Sequence, residues 1–259
     1  MKHQPKWYLL LVLCCVPWIG GCKKETSEPA QKRFLLEKVY LDGNLYMHLH
    51  YDDEPIIKRI TYYRSNGDIA GDQEILLDEQ GRVKEIRGDH GHYTSRAVTT
   101  YEQGLRTQAE VVQEAKDGSF QTTYTRTYEY PPGKIVVHLS GGDGAPAYTI
   151  AYTIADDGKI EKIERQDLRV PVNSYSQTFV YDKGKSMEGY IEDIIPGYHD
   201  LPVHHINLRT TRTERASGDI DEVSHRNELD SQGNLIRSVA TYRDGGTEEF
   251  SFQYREISD

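Results

Sequence analysis

One short pattern recurs along most of the chain and limits what it can become. Leu77-Asp78-Glu79-Gln80-Gly81-Arg82-Val83-Lys84-Glu85-Ile86 is echoed by Ile154-Ala155-Asp156-Asp157-Gly158-Lys159-Ile160-Glu161-Lys162-Ile163 and by Leu229-Asp230-Ser231-Gln232-Gly233-Asn234-Leu235-Ile236. Shorter copies stand at Tyr40-Leu41-Asp42-Gly43, Tyr101-Glu102-Gln103-Gly104, Tyr130-Pro131-Pro132-Gly133 and Tyr181-Asp182-Lys183-Gly184. Each reads as an apolar or aromatic strand end, a few turn formers, a glycine and a new apolar strand. The glycine answers a positive φ at the last turn position, where a Cβ clashes with the backbone. Such repetition has to be settled before anything else, because it dictates architecture. Gly81, Gly104, Gly133, Gly158 and Gly184 are 23, 29, 25 and 26 residues apart, which leaves room for one hairpin per interval.

Opposite these seven copies lie looser turns: Ser65-Asn66-Gly67-Asp68, Lys116-Asp117-Gly118-Ser119, Gly141-Gly142-Asp143-Gly144, Ser217-Gly218-Asp219 and Asp244-Gly245-Gly246. Turns at both ends imply an antiparallel meander. Between them the residues alternate with period two, as in Tyr148, Ile150, Tyr152 and Ile154 against Thr149, Ala151 and Thr153, the mark of strands with one drier face. The wetter face carries Lys, Glu, Arg and Thr, as from Lys159 to Arg165. Apolar pairs spaced by three, Val83 with Ile86 and Ile160 with Ile163, predict a β-bulge just past the turn. The expected fold is all-β: an up-and-down meander of about 12 to 16 strands, too many for one flat sheet, forming a curled sheet or a closed soluble barrel. The count stays open because Ile194 to Pro202 form a long excursion with two prolines.

Tyr181-Asp182-Lys183-Gly184 and Asp78-Glu79-Gln80-Gly81-Arg82-Val83 resemble the YD-type repeats of RHS-like proteins. More broadly, residues 36 to 257 are similar, through these turns alone, to a family of Gram-negative lipoproteins with such repeats and a porin-like β-barrel. The resemblance implies a fold and no activity. A membrane-embedded barrel would need an apolar lipid-facing side on every strand, and the charged face described above does not provide it.

Ile19-Gly20-Gly21-Cys22 follows the apolar run Trp7 to Trp18 and resembles a bacterial lipobox, with Lys2 and Lys6 as a basic n-region. A spanning helix needs about 20 apolar residues, and this run is shorter. The expected organisation is a lipoprotein signal peptide at 1–21, a lipid-anchored tether at 22–33 with lipidation at Cys22, and one β domain at 34–259. An ordinary secretory leader cut elsewhere is the alternative. Cys14 and Cys15 would leave with the leader, so no disulfide is expected in the mature chain. Lys23-Lys24-Glu25 resembles the start of lipoproteins sorted to the outer membrane, on either face.

Losing Lys2 and Lys6 from 31 basic residues leaves 29 against 41 acidic ones. That balance excludes nucleic acid as a partner, since phosphate binding needs clustered cations. Tyrosine outnumbers phenylalanine 19 to 5, which predicts a thin or partly hydrated core, because a tyrosine ring packs while its hydroxyl reaches a polar partner.

Phosphate loops, nucleophile elbows and zinc-site cysteine pairs are not found, so no catalytic residue and no cofactor is assigned. His48-Leu49-His50 with Asp52 puts three metal-ligand types on one side of a strand, or else is a wet face that bears histidines. Asp89-His90-Gly91-His92, His199-Asp200 and His204-His205 are similar but lie at turns or in the proline-containing excursion, and Asp219, Asp221 and Glu222 are either a partial calcium loop or a solvated acidic turn. Tyr124, Tyr128 and Tyr130 with Arg126, and Tyr148 with Tyr152, form either a stacking platform or a tyrosine-rich core in the register of Ile150 and Ile154. Tyr62, Tyr63 and Tyr198 are the candidates for exposed ligand contacts. The functional expectation is a non-enzymatic cell-envelope lipoprotein, held at the membrane through its lipid, that binds glycan or an envelope protein. A hydrolase of envelope or dietary polymer using paired carboxylates, or a carrier of apolar ligands, is the alternative.

Overall fold

The computed structural model describes residues 33–52, 56–155, 160–181 and 208–257. Sixteen strands follow one another: β1 (Arg33–Leu41), β2 (Asn44–Tyr51), β3 (Ile57–Tyr63), β4 (Ile69–Leu77), β5 (Val83–Asp89), β6 (Tyr93–Glu102), β7 (Leu105–Ala115) and β8 (Gln121–Glu129), then β9 (Lys134–Gly141), β10 (Pro146–Ile154), β11 (Ile160–Asp167), β12 (Tyr175–Tyr181), β13 (Leu208–Arg215), β14 (Ile220–Leu229), β15 (Leu235–Tyr242) and β16 (Thr247–Ile257). A 3-10 turn, Pro171–Asn173, joins β11 to β12. Every strand pairs antiparallel with its neighbours in sequence, and β16 pairs with β1, which closes the sheet into a barrel with no free edge. The meander is therefore as expected, at the upper end of the strand count and in its closed form.

The chain enters at one end of the barrel, here called the floor, and the connections after even-numbered strands return there. Connections after odd-numbered strands lie at the opposite end, the mouth. Among the described residues the copies with Gly81, Gly104, Gly133 and Gly233 fall at the floor, whereas Tyr40-Leu41-Asp42-Gly43 joins β1 to β2 and lies at the mouth, and the glycines at 158 and 184 lie outside the described residues. The reason is local: Asp42 and Gly43 (φ 50° and 78°) make the same two-residue turn as Gln103 and Gly104 (φ 52° and 82°), and turn chemistry alone does not encode an end.

The floor copies carry a second feature. At four floor connections the register shifts, between Leu76 and Leu77 opposite β5, Thr100 and Tyr101 opposite β7, Thr153 and Ile154 opposite β11, and Glu228 and Leu229 opposite β15, as it does between Val39 and Tyr40 at the mouth copy, whereas the β8–β9 ladder beside Gly133 runs without a shift. This is the bulge that the three-residue apolar spacing predicts. The ladder to the following strand stops short of the shifted residue, ending at Glu85–Val98 for β5 and at Arg237–Ser251 for β15. Val83 and Leu235 would thus keep unpaired carbonyls, and a tyrosine from the following strand fills each: Tyr101 Oη donates to Val83 O at 3.1 Å and Tyr254 Oη to Leu235 O at 2.8 Å. Tyr130 serves Arg106 O at 2.9 Å, and Tyr51 and Tyr181 serve Leu36 and Ile160 in the same way. Phenylalanine could not do this, which gives the high tyrosine content a structural reason.

Alternation divides the wall. In a single-layer barrel a side chain shielded from solvent on both sides points inward, and Leu36, Val39, Ile57 and Ile60 are 0% exposed. Two arcs of the inner wall are apolar: Leu36, Met47, Leu49, Ile60, Ile75 and Val83 pack on the arc from β16 through β5, and Tyr128, Ile135, Val137, Tyr152 and Ile160 on the arc from β7 to β12, while His225 and Asn227 keep the inner face of β14 polar toward the floor. Continued toward the mouth, the same registers turn polar, as Ile163 gives way to Arg165 and Asp167 on β11, and Phe250 to Glu248 on β16. Arg165 thus belongs to the inner wall, 4.3 Å from the Tyr148 ring, and not to the wet face that its sequence neighbours suggest.

Outside, ion pairs cross from strand to strand. Arg59 meets Asp72 at 2.6 Å, Glu85 meets both Arg87 and Arg96 at 2.8 Å, and Arg237 meets Glu228 at 2.8 Å and Glu249 at 2.6 Å. On β10 the outward residues are Thr149, Ala151 and Thr153. Among the described residues the outer wall is thus mixed, with these charges beside exposed apolar side chains such as Val180. Among the described residues no helix is long and apolar enough to cross a membrane, which leaves strands out of account.

Candidate functional site

A cavity of about 1250 Å³ opens at the mouth between β13 and β16. Its inner wall is the continuation of registers that are apolar below, so Thr213 and Arg215 on β13, Asp221 and Val223 on β14, Tyr242 on β15 and Glu248 on β16 face one another. The turns Gly218-Asp219 and Arg243-Asp244-Gly246 form its rim. Gly245 holds φ at +87°, which lets the chain reverse tightly enough to set Tyr242 beside Glu248.

Inside the cavity donors and acceptors stand in fixed pairs. Arg215 donates from Nε and Nη2 to Asp221 Oδ2, at 3.1 and 2.8 Å. Tyr242 Oη donates to Glu248 Oε2 at 2.6 Å, and this bond, reinforced by burial and the carboxylate charge, pushes the phenol up to about 12. Tyr242 therefore stays protonated at neutral pH and offers a ring that is 38% exposed. Thr213 Oγ1 accepts from Gln177 Nε2 at 3.0 Å, and Arg243 Nη1 donates to Ile220 O at 2.9 Å, which fixes the rim.

The residues marked in the sequence fall elsewhere for the most part. His48 and His50 share the outer wall with ring centroids 4.1 Å apart; His50 Nε2 lies 3.0 Å from Thr61 Oγ1, while Asp52 lies 3.8 Å from Lys58 Nζ. Burial lowers the pKa of both histidines. Among the described residues no group of three or more His, Cys, Asp or Glu could hold a metal ion. His90 stacks on Tyr93 at 4.5 Å, and Asp89 pairs with Lys116 at 2.8 Å. Tyr62 points inward onto the floor cluster with its hydroxyl 3.2 Å from Gln73 Oε1, and Tyr63 is half-buried at the end of β3. Tyr128 and Tyr152 are core, as their register suggests. Cys22, the leader, the tether up to residue 32, Tyr198, and the histidines at 199, 204 and 205 lie outside the described residues.

Of the sequence candidates, Asp219 and Asp221 do reach the cavity, with Asp221 held by an arginine rather than grouped for calcium, while Glu222 faces outward opposite Arg212. Tyr242 and Glu248 went unmarked. A signal existed: Glu248 occupies the register of Phe250, Phe252 and Tyr254, and a carboxylate in an apolar register points to a polar lumen at that height.

Fold and cavity together define a class: a closed antiparallel barrel with two apolar arcs along its inner wall and a polar cavity at its mouth. A solved structure shares the architecture. A porin-like protein from Bacteroides vulgatus ATCC 8482 is 13% identical, with a TM-score of 0.59 over 86% of this chain and 99% of its own. A porin-like protein from Bacteroides uniformis ATCC 8492 is 12% identical over 85% of this chain and 96% of its own, with a TM-score of 0.49. The sequence matches no protein-family model and no curated protein. At such identities the likeness is one of fold, a porin-like β-barrel.

Proposed function

We propose that the protein is a non-enzymatic cup: a water-facing barrel tethered in the cell envelope through acylated Cys22, which holds a polar ligand in the β13–β16 cavity. The observation that carries this reading is the uneven lining of the lumen, polar at the β13–β16 mouth and packed with apolar side chains along two arcs toward the floor. A conducting pore needs a wide polar path, and buried residues such as Leu36, Ile60 and Val137 pack along two arcs of the wall and narrow it. The outer wall argues the same way, because each arginine placed at a bilayer midplane costs about 2–4 kcal/mol, and Arg59, Arg87, Arg96 and Arg237 all face outward. Since β1 starts at the floor, a tether would direct the mouth away from the membrane that holds it.

An apolar-ligand carrier fits less well: the apolar parts of the lumen are filled by side chains, and the cavity is walled by charged and hydroxyl groups. Exposure of the full-length lipoprotein to fractionated envelope extract tests the binding reading. One fraction is expected to raise its melting temperature, by mass action. Asp221→Ala is expected to abolish the rise, and failure of every fraction would overturn the reading.

A further inference from the structure

Resting on the binding reading above, the geometry points to a neutral oligosaccharide as the class of ligand, which we propose sits on the face of Tyr242. The volume, about 1250 Å³, exceeds the roughly 300–1,000 Å³ typical of small-molecule sites, so an oligomer fits better than a single ring. Four carboxylates, of Asp219, Asp221, Asp244 and Glu248, line it against the two guanidiniums of Arg215 and Arg243, while Glu222 faces outward opposite Arg212. Both cations are engaged, Arg215 with Asp221 and Arg243 with Ile220 O, so an anionic sugar or phosphate would meet an excess of like charge.

The pairing of these groups separates a sugar from an amine. Arg215 beside Asp221 presents donor and acceptor side by side, and Tyr242 Oη, its hydrogen bond donated to Glu248, adds an acceptor next to that carboxylate. A sugar hydroxyl both donates and accepts, and vicinal hydroxyls use such a pair fully; an ammonium donates only and would leave the guanidinium facing it. The Tyr242 ring is exposed enough to take the C–H face of a pyranose, while its hydroxyl is held by Glu248, so the ring is oriented before any ligand arrives.

Calorimetric titration of the intact protein tests this, with neutral hexaoses of β-glucan, α-glucan, xylan and mannan set against oligogalacturonate and oligoglucosamine. At least one neutral oligomer is expected to bind, and oligogalacturonate is not. Tyr242→Ala is expected to weaken the neutral ligand about tenfold or more, whereas Tyr242→Phe, which keeps the ring, stays within about threefold. Tighter binding of either charged oligomer, no binding of any neutral one, or an unchanged affinity in Tyr242→Ala would overturn the inference. If envelope extract still stabilises the protein while no neutral oligomer binds, the ligand class falls and the binding reading survives; if neither stabilises, both fall.

Discussion

At Tyr101 a single hydroxyl completes what a β-bulge leaves open. The bulge beside such a floor turn adds twist but takes a carbonyl out of the ladder, and an unmet buried carbonyl costs about 1–3 kcal/mol. Tyr101→Phe, Tyr130→Phe and Tyr254→Phe are each expected to destabilise by about 1 kcal/mol in denaturant titrations with little change in slope. Tyr40→Phe is the control: its hydroxyl reaches the exposed Gln253 side chain, so the change stays within about 0.5 kcal/mol. Equal losses at all four positions would show that the carbonyl bonds matter no more than a surface contact. The sequence exposes this device only in part. Tyrosines at the strand ends and the Val83–Ile86 spacing are visible, but the partner carbonyl comes from the preceding hairpin, and no local pattern encodes that distance.

Among the elements, β5 shows how the outer wall depends on pH. Glu85 is 6% exposed although it faces outward, and hydrogen bonds from Arg96 and Arg87 hold its carboxyl at about 2. Its pKa in the unfolded chain is near 4.3, so the stabilisation is complete above that value and is lost as pH falls toward 2. Both arginines are more than half exposed, so about 1 kcal/mol is expected rather than the full shift. Glu85→Gln should cost about that much at pH 7 and flatten the acid limb of a stability–pH curve, and a limb unchanged in the variant would remove Glu85 as its cause. On β3 the inner face gives the opposite test. Ile60 sits in the floor cluster, and Ile60→Ala is expected to cost about 2–5 kcal/mol, measurable by thermal unfolding. Strand identity and facing were readable from alternation, as at β10. The end of the barrel at which a turn lies was not, because the turns at Asp42-Gly43 and Gln103-Gly104 are chemically alike.

At the scale of the barrel, sixteen short antiparallel strands of the described residues close on themselves, with cross-strand ion pairs outside and, inside, two apolar clusters below a charged mouth. The protein is therefore expected to give no conductance steps in planar bilayers. Regular steps would mean a continuous aqueous path through the floor. The mouth cavity was the least legible part of the sequence, since Arg215, Asp221, Tyr242 and Glu248 come from four strands and converge only through registers fixed by distant turns. Thiol accessibility along β10 tests the cup most directly, because replacing Cys22, the one cysteine expected after leader removal, leaves a background in which single cysteines can be placed. A water-soluble maleimide is expected to label cysteines at outward positions 149, 151 and 153 and at position 148 near the mouth, while the cysteine of Tyr152→Cys at the floor stays protected. Labelling at 152 as fast as at 148 would contradict a packed floor, and protection at 149, 151 and 153 would contradict a water-facing wall.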